Sequence, residues 1–527
     1  MDGVGGSRED RSVPRLGPRR RGGERRGGCE PALPRHGRAG IARERVEPLG
    51  SRLRLSRLGR GDRGGALMPG PPDPPRTAVV LPDLRGASQA PEPPREKNPL
   101  ERLLGLFTEI RPGEGATAIL LTLNVFLILA AYYVLKTIRE PLIARSGGAE
   151  AASYSSAGQA LLLIFLVPLY GVLAGRVDRR RLITAVTLLF MACLVAFYFL
   201  SRAGVPVGVP FFIWVGIFSV MIIAQFWAFT NDVYTPEEGK RLLALVTFGA
   251  SAGAAIGPWT TGKLISAFGV DAMFLTAGAL LLVSLALTRV VDARERERRL
   301  RHTPARPGAQ EERIGGGSAF RLLAQNRYLL LIAFLVLFLN WVNTNGEYVL
   351  RRTVTEAAHA HATGAAADAF IGSFYGGFFS TVNVVGLLVQ ALLASRIIHF
   401  FGVRHAILIL PLLALGGYAL LAVFPFLAVV RFVKVAENAT DYSLNSNVRN
   451  LLFLPTTRAE KYKAKQATDT IFWRLGDVLS AGLVLAGIHW LAFTTKSFAA
   501  LNLVLAAAWL AIAFVIGRRF ARLTASS

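Results

Sequence analysis

The sequence predicts an all-α membrane protein with twelve transmembrane helices in two six-helix bundles. Of its 527 residues, 52% are hydrophobic and only 18% are charged, whereas soluble domains average about 25% charged residues. The apolar residues are concentrated in stretches of roughly twenty, the length at which a helix crosses about 30 Å of hydrocarbon. These stretches lack strict alternation, and a helix satisfies its own backbone in lipid, so we expect helices rather than a barrel.

The twelve spans fall six on each side of a polar, charged linker. Residues 98–291 are expected to form the N-terminal bundle, 292–320 a cytoplasmic linker and 321–520 the C-terminal bundle. The spans are placed at about 116–136, 157–175, 181–201, 209–230, 242–266, 271–290, 328–350, 368–395, 404–423, 425–448, 467–491 and 497–517.

Residues 1–97 are rich in Arg, Gly and Pro and carry no sustained apolar period, so they cannot build a core. Three alternatives follow. The segment is a disordered cytoplasmic tail, a mis-assigned start with Met68 as an internal alternative, or an RNA-binding arm.

The net charge of +25 raises the question of a nucleic-acid partner, but its distribution argues against one. Residues 1–65 hold 17 Arg against 8 acidic residues, and much of the remaining excess falls in alternate loops between spans. That alternation follows the positive-inside rule. It predicts a multi-pass protein of a bacterial-type inner membrane with both termini in the cytoplasm and the lipid bilayer as its partner.

The chain carries no motif for an enzyme, a cofactor or a metal site. Cys29 and Cys193 are too few for a disulfide framework or a metal cluster. There is no GxxxxGK[ST], GxSxG or HExxH pattern. We therefore expect neither an ATPase nor a hydrolase.

The strongest candidates for function are charges at the ends of the first and seventh spans. Lys136, Arg139 and Glu140 follow the first, and Glu347 and Arg351 end the seventh. Charges at the edge of hydrocarbon are costly and usually functional. Two simpler interpretations remain open: the first group could anchor a helix end at the interface, and Glu347 could pair with Arg351 at i, i+4.

The tenth span is the most polar. Its ionisable and amide residues recur every three to four positions, which puts them on one helix face that cannot look at lipid. We therefore predict a cavity-lining helix, with a cytoplasmic loop as the alternative. Two residues of the eleventh span could pair with this face. The candidates are Arg431, Lys434, Glu437, Asp441, Asn445 and Arg449 on the tenth span and Asp469 and Arg474 on the eleventh.

The first half contributes polar residues at the end of its fourth span. Trp227 is either an interfacial belt residue or a stacking surface for a ring, and Asn231 and Asp232 follow it. The glycines at 249, 253 and 257 recur every four residues, which predicts close helix packing.

Two family resemblances follow from these residues. The charged turn from Gly175 to Arg181 resembles the turn between the second and third spans of the major facilitator superfamily, so the fold is expected to be major-facilitator-like. The charged clusters as a set resemble the non-mitochondrial ATP/ADP translocases, over essentially all of 98–520. The matching segments are 135–140, 227–241, Glu347 with Arg351, 441–450 and 460–474, with Arg in place of the family's Lys at 139 and 351.

The resemblance implies nucleotide antiport. Together with the charges, it predicts a monomeric secondary carrier that moves a small anionic solute, such as a phosphorylated compound or a nucleotide, by alternating access. Arg139, Arg351, Arg431 and Lys434 would bind the anion. Glu140, Glu347, Glu437 and Asp441 would form ion pairs that break and re-form, or couple protons. The alternatives are a non-transporting membrane sensor or assembly factor on a carrier fold, and a lipid flippase with an apolar lateral opening.

Overall fold

The computed structural model describes residues 101, 102, 105, 108–301, 323 and 325–525. The predicted N-terminal tail and most of the predicted linker lie outside these residues. The first half contains six long helices: α1 (Gly115–Arg145), α2 (Gly148–Ala174), α3 (Arg179–Arg202), α4 (Gly208–Val233), α5 (Pro236–Phe268) and α6 (Ala272–Arg301). The linker was predicted to begin at residue 292, but α6 continues to Arg301 as regular helix.

The second half repeats this pattern with three π-helical interruptions. Its elements are α7 (Arg327–His361); α8 (Gly364–Leu388) with a π-helical segment Val389–Ala394; α9 (Ser395–Val423); α10 (Leu427–Thr440), continued by π-helical Asp441–Asn445 and helical Ser446–Leu451; α11 (Arg458–Ala467), continued by π-helical Thr468–Phe472 and helical Trp473–His489; and α12 (Thr495–Ala525).

Ten segments of the described chain are long and apolar enough to cross a membrane. One of them, Gly364–Val423, breaks at Gly402, where φ is +69° and the helical path ends, so it supplies two spans. The polar α10 is the remaining crossing, because it packs against α7, α8 and α9 of the same bundle. The fold class predicted from the sequence, twelve helices in two bundles, is confirmed.

Two helices extend beyond their predicted ends, and this changes the setting of the charged clusters. The first span was expected to end at residue 136, but α1 continues through Pro141 to Arg145. The seventh was expected to end near residue 350, but α7 runs to His361. The clusters therefore lie within helices, and the expectation that they stand at helix ends was wrong. The apolar stretch in the sequence indicates only where the hydrocarbon region ends. The helix itself continues for as long as its backbone hydrogen bonds do.

Close helix contacts depend on the predicted glycine stripe of α5. A Cβ at Gly249 would lie 2.5 Å from the Thr122 carbonyl oxygen of α1, and one at Gly257 would lie 2.8 Å from the Ala130 Cα. The predicted packing role of these glycines is confirmed.

The two halves meet through α5 against α8 and through α2 against α7 and α11. The α5–α8 contact is tight, because a Cβ at Gly376 would lie 2.6 Å from the Gly262 Cα. The contact with α5 therefore holds α8 directly against the first half.

Both halves begin their fifth helix with the same signal. Thr235 starts α5 and Thr457 starts α11, and each threonine hydroxyl accepts a bond of 3.3 Å from the backbone N–H three residues on. Glu238 and Glu460 return the bond to the threonine N–H groups, which completes a capping box. The two half-chains are therefore alike in local structure at the start of their fifth helices.

Candidate functional site

A buried carboxylate joins the two halves. Glu140 of α1 is 2% exposed. One of its oxygens accepts bonds from Arg139 at 3.1 and 2.5 Å, and the other accepts a bond of 2.8 Å from Nε of Arg351 on α7. A buried carboxylate is costly unless it is paired and hydrogen-bonded. Two guanidinium groups, both near the Phe212 ring, meet that need.

The network continues from α7 into α10. Arg351 Nη2 lies 3.9 Å from a Glu347 oxygen, so the i, i+4 pair considered from the sequence exists alongside the stronger bond to Glu140. The other oxygen of Glu347 accepts a bond of 3.0 Å from Asn438 and lies 3.6 Å from Lys434 Nζ. Glu347 therefore bridges a cation on its own helix and one on α10.

Lys434 is fully buried at the α10 end of this network. Its Nζ donates to Asn343 Oδ1 at 2.8 Å and to Glu437 at 2.9 Å. The Tyr418 hydroxyl donates to the same Glu437 oxygen at 3.1 Å. The absence of a side chain at Gly346 makes the arrangement possible, because a Cβ there would overlap the Tyr418 hydroxyl and lie 3.0 Å from Lys434 Nζ.

Lys136 differs from the other cations of this region. Its Nζ lies 4.4 Å from the centroid of the Phe379 ring on α8 and 5.4 Å from that of Tyr133. The Tyr133 hydroxyl donates to Asn383 at 3.0 Å. Within the part of the chain that the structure describes, Lys136 has no ion pair and no hydrogen bond. We call Lys136, Arg139, Glu140, Glu347, Arg351, Lys434 and Glu437 the central cluster.

A second ion pair joins the halves at the end of the molecule where α1 meets α2 and α7 meets α8. Arg145, the last residue of α1, donates through Nε to Asp368 near the start of α8 at 2.8 Å, and its Nη2 contacts the same oxygen. Neither residue is among the site residues predicted from the sequence, although an arginine and an aspartate near the ends of predicted spans are a visible signal.

At the opposite end, the ion pairs among the described residues stay within one half. Arg241 donates to both oxygens of Glu114, at 2.8 and 3.0 Å, and the Arg111 N–H donates at 2.9 Å. Burial raises the pKa of Glu114, but these hydrogen bonds outweigh it and leave that pKa below its ordinary value. Arg298 bonds to Glu238 at 2.8 Å in the same half.

Trp227, Asn231 and Asp232 are not part of the central cluster. Trp227 packs edge to face with Phe226 and against the core of the first half. Asn231 is exposed, and Asp232 pairs with Arg179 at the start of α3. Their joint selection as binding residues is therefore not supported by their positions.

The polar face predicted for α10 is buried at Lys434, Glu437, Asn438, Asp441 and Asn445, whereas Arg449 is half-buried and Arg431 is exposed. The buried members also have different neighbours. Lys434, Glu437 and Asn438 join the central cluster. Asp441, which lies in the π-helical segment, accepts a bond of 2.7 Å from Asn445. A π-helical turn shifts the helix register. The polar residues of α10 that recur every three to four positions therefore do not all lie on the same side of the helix.

The remaining candidates lie apart from the central cluster. Arg449 stacks on Trp473 with 5.1 Å between its Cζ and the ring centroid, and both line a cavity of about 290 Å³ with Asp469. Arg474 pairs with Asp477 of its own helix at 3.5 Å. Asp469 thus faces α10 as expected, whereas Arg474 does not. Arg431 stacks on Phe374 in a groove on the outer face.

A profile described as Major Facilitator Superfamily matches residues 121–436, which is more than half of the chain. The chain belongs to this superfamily. A comparison with curated protein sequences finds no match.

Solved structures of transporters share the fold of this facilitator. A bacterial homologue of the human lysosomal transporter Spinster, inward-facing and unoccupied, is 13% identical with a TM-score of 0.54, and the match covers 79% of this chain and 99% of that one. The nucleoside transporter NupG is 12% identical, with a TM-score of 0.55 over 76% and 98% of the two chains. A POT family transporter in complex with 5-aminolevulinic acid is 13% identical, with a TM-score of 0.56 over 77% and 96%.

The charged turn that resembled the superfamily has a clear structural role in this facilitator. It connects α2 to α3, and Arg179 donates to the Ala228 carbonyl oxygen of α4 at 3.0 Å in addition to pairing with Asp232. Arg180 pairs with Asp292 of α6 at 2.8 Å. The turn therefore ties the start of α3 to two neighbouring helices of the first half.

Proposed function

We propose that this facilitator is a secondary active transporter of an anionic, phosphorylated solute, and that Lys136 is its principal anion-binding residue. The observation that carries the proposal is the charge balance of the central cluster. Its carboxylates, Glu140, Glu347 and Glu437, each bond to a cation of the cluster, while Lys136 has none of them as a partner. An anionic solute would supply the missing counter-charge.

The neighbours of Lys136 favour a solute that also carries a ring. Tyr133 of α1 and Phe379 of α8 border its ammonium group, and aromatic faces stack on planar rings at about 4.5–7 Å. The resemblance of 135–140, Glu347 and Arg351 to the ATP/ADP translocases points the same way. Nucleotides are therefore the first solutes to test, with exchange of one nucleotide for another as the expected mode.

The ion pairs between halves suit alternating access. Glu140–Arg351 and Arg145–Asp368 join the two halves, and both would have to break if the halves separated at this end as one bundle rocks against the other. The positive-inside distribution places this end of the molecule away from the cytoplasm and both termini inside. We propose that the protein acts as a monomer in a bacterial-type inner membrane.

Uptake by proteoliposomes tests the proposal. We expect the wild-type chain to accumulate a labelled nucleotide or sugar phosphate and not the uncharged nucleoside or sugar. Lys136→Gln should reduce uptake about tenfold or more, the equivalent of one lost charged contact of about 1.4 kcal/mol. Lys263→Gln is a matched control, because Lys263 also stacks on an aromatic ring, Trp259, but lies on the exposed face of α5. Equal uptake by both variants would reject the role of Lys136.

A second candidate is a non-transporting sensor or assembly factor, favoured by the internal pairing of Arg139, Arg351 and Lys434 with carboxylates. Uptake separates the two functions. Under the transport hypothesis, Arg139→Ala and Arg351→Ala both slow uptake, whereas wild-type rates in both would reject a charged path. Labelled lysolipid belongs in the same panel, because its selective uptake would support the flippase alternative instead.

A further inference from the structure

An open groove runs between α8 and α10 on the outer face of the second half. It encloses about 630 Å³. Phe374 and Thr381 form its α8 side, and Leu427, Phe432 and Val435 form its α10 side. Phe432 is 70% exposed, so this wall faces the surroundings of the protein rather than its interior. In a membrane protein, those surroundings are lipid.

One charge lies in this apolar groove. The guanidinium of Arg431 is 5.4 Å from the centroid of the Phe374 ring, and a Cβ at Gly377 would lie 3.4 Å from its Nη2. Arg431 is exposed and has neither an ion pair nor a hydrogen bond among the residues that the structure describes. A charged side chain facing hydrocarbon without a counter-ion is costly, so its groove is suited to an anion.

Arg431 lies near the start of α10. It is four residues beyond the first residue of the helix, Leu427, or about 6 Å along the axis at 1.5 Å per residue. Long basic side chains near the ends of membrane helices reach the headgroup region. One turn further along α10, Val435 also lines the groove, as does Thr381 of α8.

We propose that this groove binds an anionic phospholipid of the leaflet that faces the α9–α10 connection. Its phosphate would pair with Arg431, and one acyl chain would lie along Phe432 and Val435. Arg431 provides a guanidinium that has no ion pair with a described carboxylate, which favours a headgroup of net negative charge over a zwitterionic one. This site is separate from the central cluster, because Lys434 of the same helix is buried and already bonded to Asn343 and Glu437.

Lipid retention by the purified full-length chain tests the proposal. The chain is delipidated in detergent, and phosphatidylglycerol or phosphatidylcholine is added while bound lipid is counted by native mass spectrometry and the Tm is recorded. We expect phosphatidylglycerol to bind and raise the Tm, and phosphatidylcholine to do so at least tenfold less effectively. Arg431→Gln should remove this preference. Ala428→Trp, which fills the groove and keeps the arginine, should lower the retention of phosphatidylglycerol.

The control is Arg202→Gln. Arg202 is another arginine at an exposed helix end, and its guanidinium lies over the ring of Tyr198 in α3. It should retain phosphatidylglycerol as the wild type does. Equal retention of the two lipids by the wild type would overturn the proposal, and so would unchanged retention by Arg431→Gln. Inorganic phosphate that reproduced the Tm rise at millimolar concentration would show a soluble-anion site instead and would also overturn it.

Discussion

Lys136 and Arg351 occupy equivalent positions in the first helix of each half, because each follows the sequence Tyr-Val-Leu. Among the described residues, only Arg351 of the two has carboxylate partners within ion-pair distance. Arg351 bonds to Glu140 at 2.8 Å and lies 3.9 Å from Glu347. Lys136 lies over two aromatic rings instead. The two corresponding positions therefore differ in role. Arg351 joins the two halves through Glu140, whereas the ammonium group of Lys136 is available to an anion.

Removing Glu140 and its partner Arg351 together should destabilise the protein less than the two separate removals combined. Glu140→Gln leaves Arg139 and Arg351 buried without their shared counter-ion, so we expect a loss of about 3–5 kcal/mol of stability. The double variant Glu140→Gln with Arg351→Gln should lose less than the sum of the two single variants. Unfolding in mild detergent measures all three, and additive losses would show that the buried pair is not coupled.

The pair Arg145–Asp368 should act as a latch at one end of the molecule. In Asp368→Asn the charge attraction to α1 is lost, so we expect this end to open more often. The readout is maleimide labelling of Lys136→Cys, added from that side of the membrane, with Cys29 and Cys193 replaced by Ser. Labelling should be faster with Asp368→Asn than without it. The control Asp292→Asn breaks the pair with Arg180 inside the first half and should leave the labelling rate unchanged.

The glycines at 249, 253 and 257 of α5 should tolerate no side chain. Gly257→Ala places a methyl group 2.8 Å from the Ala130 Cα of α1, and overpacking of this kind costs about 1–3 kcal/mol. Gly278 of α6 has no atom within 4 Å of an added Cβ, so Gly278→Ala should be neutral or slightly stabilising. A Tm that falls equally in both variants would contradict close packing at Gly257.

Ionised Glu114 should stabilise the first half, and this stabilisation should be lost in acid. Its pKa is lowered in the fold, because the bonds from Arg241 and Arg111 outweigh the effect of burial. Its contribution is therefore complete above the ordinary glutamate pKa of about 4.3 and falls as pH drops through the lower, folded value. Glu114→Gln should flatten the Tm curve over that range. An unchanged curve would assign the acid sensitivity to other groups.

The sequence predicted where the helices are far better than it predicted which charges meet. The fold class and the glycine stripe on α5 followed from apolar length and spacing, which are local properties. Glu347 and Arg351 were likewise found as an i, i+4 pair. Arg431 and Lys434, three residues apart on α10, were both assigned to the binding site. Only Lys434 faces the central cluster, because their directions around the helix differ.

By itself, the sequence determined that this is a helical membrane protein with charges in its first, seventh and tenth spans. Hydrophobic length and charge distribution suffice for that, because the bilayer acts on each segment separately. Only the tertiary structure decided that Glu140 bonds to Arg351, that Arg145 bonds to Asp368 and that Lys136, among the described residues, has no carboxylate within ion-pair distance. These outcomes depend on how α1, α7 and α8 pack across the two halves, and partners more than 200 residues apart have no local signature in the chain.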